Sequence, residues 1–310
     1  MGHVLAIVSQ KGGVGKTTTA VNLSAAFARR GLKTLLIDTD PQGAVRYGVG
    51  LRRGEAPYGI SDFLSGARPL REVILPTALP WLRVILAGSV STETSHIGYH
   101  HEIETSTLLR DMIAIARERC EVVVVDTPPG LGAIPRRVLE LSQHVIIPLQ
   151  CEPLALQTTP QMLRGIQEIA ATNEELTLDG IVLTMYDPAS LGCQRVSEYL
   201  RANLPRDMVF DIVIPRSAAA SGAFAAGEPV VLRDPADPAS QAFVNLATLL
   251  AARFTLLHGT SSATRYLPPR LVCWAGRRLP PRPRAVVRTP TFRCPHPPPT
   301  FPQAPPPSPP

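Results

Sequence analysis

Four consecutive valines, Val122–Val125, limit the folds open to this chain more strongly than any other feature. A strand that is apolar on both faces must be buried on both, which is typical of parallel sheets covered by helices. Apolar runs occur at residues 4–9, 34–38, 82–87, 121–126, 144–149, 180–185 and 209–214, and helical patterns at 16–30, 105–119, 156–172, 192–203 and 239–253. This alternation predicts one α/β domain with a doubly wound, mostly parallel sheet and helices on both faces.

Composition divides the 310 residues into a body, residues 1–254, and a tail, residues 255–310. The tail carries 16 of the 33 prolines and eight arginines, but no lysine and no acidic residue. Proline fixes φ and lacks an amide donor, so we expect the tail to be disordered with polyproline II tendency. The formal charge of +6 comes from the tail, because the body has 23 basic and 25 acidic residues. A nucleic-acid site on the body would therefore have to be a local patch.

Three absences favour a cytoplasmic protein without a membrane segment. No run of 18 apolar residues is present, and the first residues do not have the pattern of a signal peptide. The five cysteines form no CxxC pair, which argues against a disulfide framework or a structural zinc site.

A glycine-rich loop follows the first predicted strand, where residues 10–18 read QKGGVGKTT. Glycines aim backbone N–H groups inward to form an anion-binding nest, and the next helix adds its positive N-terminal dipole. Lys16 is placed to reach the β- and γ-phosphates of a nucleotide, and the Thr17 hydroxyl is placed to bind Mg²⁺. The predicted nucleotide-binding residues here are Gly12, Gly13, Val14, Gly15, Lys16, Thr17 and Thr18. The usual GxxxxGK[ST] pattern is not strictly met, because Gln10 replaces its first glycine and Lys11 is an additional lysine.

With that additional lysine, KGGVGKTT resembles the deviant Walker A motif of the ParA/MinD family of ATPases, whose members have the P-loop NTPase fold. Five further segments resemble family motifs in the same order: LLIDTDPQG (35–43), VVVVDTPP (122–129), IPLQCE (147–152), LTMYD (183–187) and VIPR (213–216). The resemblance covers residues 3–254 and is closer to ParA (Soj-like) partition proteins than to other branches. It assigns residues 1–254 to a ParA-type ATPase domain.

The resemblance implies an Mg²⁺-dependent ATPase that dimerises around two ATP molecules. Lys11 would reach the nucleotide of the other subunit and act in trans, much as an arginine finger does. Lys16 would neutralise the phosphates, and Asp40 would position the attacking water. From the residues alone, Asp38 and Asp40 could also simply be polar groups that end a strand.

Metal and base contacts follow from the same resemblance. The Mg²⁺ site would involve Thr17, Asp38 and Asp126, usually through water, because Mg²⁺ dehydrates reluctantly. Met185 and Pro215 would wall the adenine, although a core methionine is an equally good explanation of Met185.

ParA proteins bind DNA non-specifically as ATP dimers, and a ParB-like activator stimulates hydrolysis. The resemblance therefore implies non-specific DNA, a ParB-like protein and a second subunit as partners, and a cytoplasmic, nucleoid-associated protein. Arg216 matches an arginine of the family's DNA patch, and Arg195 is a second candidate. The patch is thinned, because residues 188–190 read PAS and residues 217–224 read SAAASGAF. Further arginines that could contribute are Arg201, Arg206 and Arg233, and the basic tail could compensate.

Other functions remain open. A MinD-like or other ParA-like ATPase could position a protein assembly instead of DNA, but helix 239–253 lacks the basic face of a membrane anchor. An iron–sulfur reductase would need cluster cysteines, and Cys151 and Cys193 lack that context. A small-molecule kinase or ligase is possible on a P-loop fold, although Lys11 and the Asp38/Asp40 motif weigh against it.

Overall fold

The structure, a computed structural model, describes residues 1–51, 58–88 and 93–259. The strands are β1 (His3–Ile7), β2 (Thr34–Asp38), β3 (Leu75–Pro76), β4 (Leu82–Ile85), β5 (Val122–Asp126), β6 (His144–Gln150) and β7 (Thr177–Thr184). The longer helices are α1 (Lys16–Arg29), α5 (Glu93–Thr105), α6 (Thr107–Arg119), α7 (Ala133–Glu140), α8 (Ala155–Ala170), α9 (Leu191–Asn203), α10 (Ala218–Ala225) and α12 (Pro238–Gly259). Short helices are α2 (Val45–Gly48), α3 (Ile60–Leu64), α4 (Leu70–Val73) and α11 (Val230–Arg233).

The strands form one sheet in the order β3-β4-β2-β5-β1-β6-β7, in which only β3 is antiparallel to its neighbour. Two hydrophobic cores cover its two faces. One core contains residues of α6, α7, α8 and α9, and the other contains residues of α1 and α12. Within β5, Val123 and Val125 face the first core, while Val122 and Val124 face the second. The predicted doubly wound α/β fold is confirmed, and the valine run is buried on both faces as predicted.

The predicted strand at 209–214 is wrong as a regular strand. The segment runs beside β7 but forms only isolated bridges, Ile181 with Val209 and Tyr186 with Pro215. The amide of Phe210 donates to the Ile181 carbonyl, and that of Ile214 donates to the Leu183 carbonyl. Four residues of the segment therefore span two residues of β7, so a continuous ladder cannot form.

Helix α12 continues to Gly259, beyond the predicted end at residue 253. Residues 260–310 lie outside the described residues, so the predicted disorder of most of the tail remains a prediction. Within the described ranges, no helix is both long and apolar enough to cross a bilayer.

Two loops at the carboxyl edge of the sheet meet backbone to backbone. Gly50 and Gly227 both have left-handed φ angles, of 77° and 76°. A Cβ atom added to Gly227 would lie 2.6 Å from the Gly50 Cα, and one on Gly48 would lie 2.7 Å from the Phe224 ring. The loop around α2 and the loop after α10 thus pack so closely that only glycine fits at these positions.

Candidate nucleotide-binding site

The glycine-rich loop connects β1 to α1 at the carboxyl edge of the sheet, where ligands bind in doubly wound folds. Gly13 and Gly15 adopt left-handed φ angles of 77° and 84°, and Gly15 directly precedes the first residue of α1. The Thr184 hydroxyl, at the end of β7, donates a 2.7 Å hydrogen bond to the Val14 carbonyl. This hydrogen bond ties the loop to β7 directly before the N-terminus of α1, where backbone N–H groups favour an anion.

Lys16 is buried, with 8% of its surface exposed, and its ammonium group faces two carboxylates. Its Nζ lies 3.7 Å from Asp126 Oδ1 and 4.0 Å from Asp40 Oδ2. Three charged groups that are far apart in sequence therefore meet at the tip of the sheet. A cation held here would interact strongly with phosphate oxygens, because the surroundings exclude water.

Asp126 ends β5 and is fully buried. The Thr17 hydroxyl donates a 2.7 Å hydrogen bond to Asp126 Oδ2, while Asp126 Oδ1 is buried without a hydrogen-bond partner. Burial raises the pKa of Asp126 to about 6, although Lys16 and Thr17 act in the opposite direction. A hydroxyl and a carboxylate with an unsatisfied oxygen are hard oxygen donors of the type that Mg²⁺ prefers. Thr17 and Asp126 thus fit an Mg²⁺ site.

Asp38 and Asp40 have different surroundings. Asp38, fully buried at the end of β2 and paired in register with Asp126, accepts hydrogen bonds from the amides of Asp40 (3.1 Å) and Val45 (3.2 Å). Burial, reinforced by Asp126 and Asp40, raises its pKa well above the usual range. Asp40 uses Oδ1 to accept from the Gln42 amide, which leaves Oδ2 toward Lys16. Asp38 therefore holds the loop, whereas Asp40 faces the phosphate site.

Lys11 lies near the start of the glycine-rich loop, and about one-third of its side chain is exposed. Its Nζ donates a 2.6 Å hydrogen bond to Oε1 of Glu152, which follows β6. Glu152 lies within the IPLQCE segment, but the sequence alone assigned it no role. The two residues form an ion pair within a single chain.

A cavity of about 330 Å³ adjoins the loop and is lined by Gly15, Thr18, Met185 and Pro215, among others. Met185 has a φ of 50°, a left-handed conformation that is uncommon for a residue with a Cβ. Both predicted base-contacting residues therefore lie beside the glycine-rich loop. Arg216 lines the same cavity and is exposed to solvent.

The candidate DNA-binding arginines fall into two groups. Arg201 pairs with Asp211 at 3.1 Å, and Arg233 pairs with Glu228 at 3.4 Å. Within the described part of the chain, the others form no ion pair: Arg195, Arg206 and Arg216. Arg195 is exposed on α9. Arg195 and Arg216, the two DNA contacts predicted from the sequence, are thus exposed and without a carboxylate partner among the described residues.

Sequence reasoning missed residues that position the site through the backbone. The Thr39 hydroxyl donates to the Asp126 carbonyl at 2.7 Å, and the Thr127 hydroxyl donates to the Ile7 carbonyl at 2.8 Å. The buried Tyr99 hydroxyl donates to the Thr39 carbonyl at 3.1 Å. The two threonines directly follow aspartates that end strands, which is the signal that could have identified them.

Comparisons with known proteins identify the family of this chain. A family profile described as an AAA domain matches residues 2–178. The chromosome partitioning protein ParA of Caulobacter vibrioides is 38% identical over 254 residues, which cover 81% of this chain and 94% of that protein. The sporulation initiation inhibitor protein Soj of Bacillus subtilis is 34% identical, over 81% of this chain and 99% of that protein.

Solved structures share the fold. Cobyrinic acid a,c-diamide synthase from Mycobacterium smegmatis, with bound ADP and magnesium, is 26% identical with a TM-score of 0.69, over 86% of this chain and 100% of that one. The septum site-determining protein MinD from Pyrococcus horikoshii, complexed with Mg-ADP, is 22% identical with a TM-score of 0.67, over 82% and 99% of the two chains. The latter similarity concerns the fold alone.

Proposed function

The chain belongs to the ParA/MinD family of ATPases, and on that premise we propose that it is an ATP-dependent partition ATPase that segregates plasmid or chromosomal DNA. It uses ATP and Mg²⁺, dimerises in the ATP state, and binds DNA non-specifically. A ParB-like protein stimulates its hydrolysis. It acts in the cytoplasm on the nucleoid.

The observation that carries the proposal is the convergence of Lys16, Asp40 and Asp126 beside the glycine-rich loop. Mg²⁺, when bound, neutralises charge on the phosphates. Thr17 and Asp126 would hold it, and the buried Lys16 binds and orients the phosphate oxygens. Asp40 accepts a backbone hydrogen bond through Oδ1, so Oδ2 stays directed at the site, where it orients the attacking water. Asp38 keeps the loop in this arrangement.

Dimerisation and DNA binding are supported by other residues. Lys11 is at the accessible side of the loop, where its ammonium group can exchange Glu152 for a phosphate of the second subunit's nucleotide. Arg195 and Arg216 are exposed and carry no carboxylate partner in the described part of the chain. Each phosphate contact that such arginines make increases affinity and steepens its dependence on salt.

The test uses the full-length chain with Asp40→Ala, which holds the ATP state, and a mixed-sequence DNA duplex. We expect binding with ATP but not with ADP, weakened as salt rises from 50 to 200 mM. Replacing Arg195 and Arg216 by glutamine removes four arginines from the dimer and should reduce the magnitude of the slope of log affinity against log salt by roughly 4. Arg201→Gln is the matched control, because that arginine is already paired with Asp211.

A second candidate, an ATPase that positions a protein assembly, is favoured by the small number of unpaired arginines in the patch. Absence of DNA binding in both nucleotide states, together with intact ATP-dependent dimerisation, would select this candidate.

A further inference from the structure

A second large cavity lies at the opposite edge of the sheet from the nucleotide site. It measures about 910 Å³ and is lined by His3, where β1 begins, and by Val122, where β5 begins. The nucleotide residues follow the carboxyl ends of these same strands. Its volume is in the range of small-molecule sites, roughly 300–1,000 Å³. The cavity therefore has the capacity for a ligand, and no step of the proposed ATPase cycle uses it.

Basic side chains from three parts of the chain line this cavity. They are Arg30 after α1, Lys33 before β2, and Arg117 and Arg119 at the end of α6. Two of these four side chains already have partners within the chain. Arg30 donates a hydrogen bond to the Thr248 hydroxyl at 3.0 Å, and Arg117 forms an ion pair with Glu175 at 3.5 Å.

Lys33 and Arg119 are exposed, and in the described ranges their side chains make no hydrogen bond or ion pair. The acidic residues of the described lining are Glu118 and Glu121, and Glu121 accepts the Lys33 amide at 2.9 Å. No acidic residue follows Asp237 in the sequence, so the tail cannot neutralise these cations. The lining thus carries net positive charge with two free cations.

The rest of the cavity wall is largely apolar. Phe254 is buried, and its ring stacks on His3 at 4.8 Å between centroids with an angle of 11° between the planes. Val122 is buried, and Cys120, Leu32 and Ala251 are half-buried. An apolar wall beneath a basic rim suits a ligand with a carbon body and several negative charges.

We propose that this cavity binds a phosphorylated small molecule that carries at least two negative charges. The four basic residues, set against two carboxylates, favour an anion of that charge, and charge-assisted hydrogen bonds from Lys33 and Arg119 bind its phosphates. The apolar wall that includes Phe254 and Leu32 favours a ligand with a carbon body over a DNA duplex, whose protein contacts are mostly to phosphate oxygens. The inference depends on the cavity alone and is independent of the ATPase cycle.

The test uses fructose 1,6-bisphosphate as the probe and the full-length protein. Its nucleotide site is first saturated with fluorescent mant-ADP and excess Mg²⁺, and the bisphosphate is titrated by calorimetry. We expect one bisphosphate per chain, without release of mant-ADP. Replacing Lys33 and Arg119 by glutamine together should weaken binding at least tenfold. Arg110→Gln, on α6 but not in the cavity lining, should leave it unchanged.

A further variant, Ala252→Glu, places a carboxylate on the cavity wall at an exposed position of α12 and should abolish binding. The proposal is overturned if the bisphosphate does not bind at millimolar concentration, if it displaces mant-ADP, or if the double variant binds it normally. Loss of duplex DNA binding in the double variant, with no bisphosphate site, would assign this edge to DNA and equally overturn it.

Discussion

Lys11 and Glu152 form an ion pair within one chain, with Nζ 2.6 Å from Oε1. Because both side chains are about one-third exposed, the pair contributes little, roughly 0–1 kcal/mol. A lysine held this weakly can exchange one anion for another. We expect Glu152→Gln to raise the dimer fraction at limiting ATP by up to about fivefold, measured by light scattering in the Asp40→Ala background.

Lys11→Ala provides the counterpart of that experiment. The variant should bind ATP but remain monomeric, and adding Glu152→Gln should not restore the dimer. Glu168→Gln, which breaks the exposed pair with Arg136, is the matched control for loss of one surface carboxylate. A normal ATP dimer in Lys11→Ala would contradict the role in trans.

Asp40→Ala should separate ATP binding from hydrolysis. The side chain faces Lys16 but closes no buried hydrogen bond other than that from Gln42, so the fold should persist. We expect ATP affinity within a few-fold of wild type and turnover lower by about 10²-fold or more, because positioning groups contribute on that scale. Lys16→Ala should instead lose affinity. Phosphate release and mant-ATP binding measure the two properties, and unchanged turnover would remove Asp40 from the mechanism.

The pH dependence of stability should reflect the raised pKa of Asp126. That carboxyl titrates near pH 6 when folded and near 3.9 when unfolded, so the folded state binds more protons between these values. The free energy of unfolding of the nucleotide-free protein should therefore fall as pH rises from about 4 to 6, by at most about 3 kcal/mol from this residue. Asp38, whose pKa is also raised, acts in the same direction.

Asp126→Asn tests this, because asparagine has the same shape without the charge. We expect thermal melts of the nucleotide-free variant to depend less on pH than those of wild type. The variant should also lose the extra stabilisation that Mg²⁺ adds to the ADP complex, which EDTA removes from wild type. Equal pH dependence in the two proteins would mean that another group carries the effect.

Met185 should show a strained backbone. A β-branched residue tolerates a left-handed φ poorly, so Met185→Val should destabilise the protein by roughly 1–3 kcal/mol. Met185→Asn keeps that conformation more easily but removes the thioether from the cavity wall. We expect Met185→Asn to melt near wild type and bind mant-ATP several-fold more weakly. Normal affinity would show that the side chain does not contact the base.

The sheet could be predicted from the sequence because strand burial and tight turns depend mainly on residues that are adjacent in the chain. The run of valines at Val122–Val125 predicts a buried strand, and the glycines within residues 10–18 predict a tight loop. Both predictions need only neighbouring residues of the sequence. The segment at 209–214 is equally apolar, but its hydrogen bonds to β7 are not evenly spaced, so it does not form a regular strand. Its sequence could not predict this, because register depends on both segments.

The candidate site could likewise be predicted only in part from the sequence. Lys16 and Asp40 come after strands and Asp126 ends one, so a parallel sheet brings the three residues to one edge. The different roles of Asp38 and Asp40 follow from the family resemblance and not from the spacing of the two residues, because they depend on where β2 ends and the chain turns toward Val45. The pairing of Lys11 with Glu152 joins residues 141 positions apart, and no spacing rule reports such a contact.

The contact between Gly50 and Gly227 has a mechanical consequence. One glycine lies downstream of the loop that carries Asp40, and the other follows α10, whose residues Ala220 and Phe224 line the cavity beside Met185. Two backbones in van der Waals contact, without side chains to slide between them, act as a rigid joint. We therefore expect a displacement at the base end of the nucleotide to shift the loop that carries Asp40 as well, so that occupancy of one subsite changes the geometry of the other.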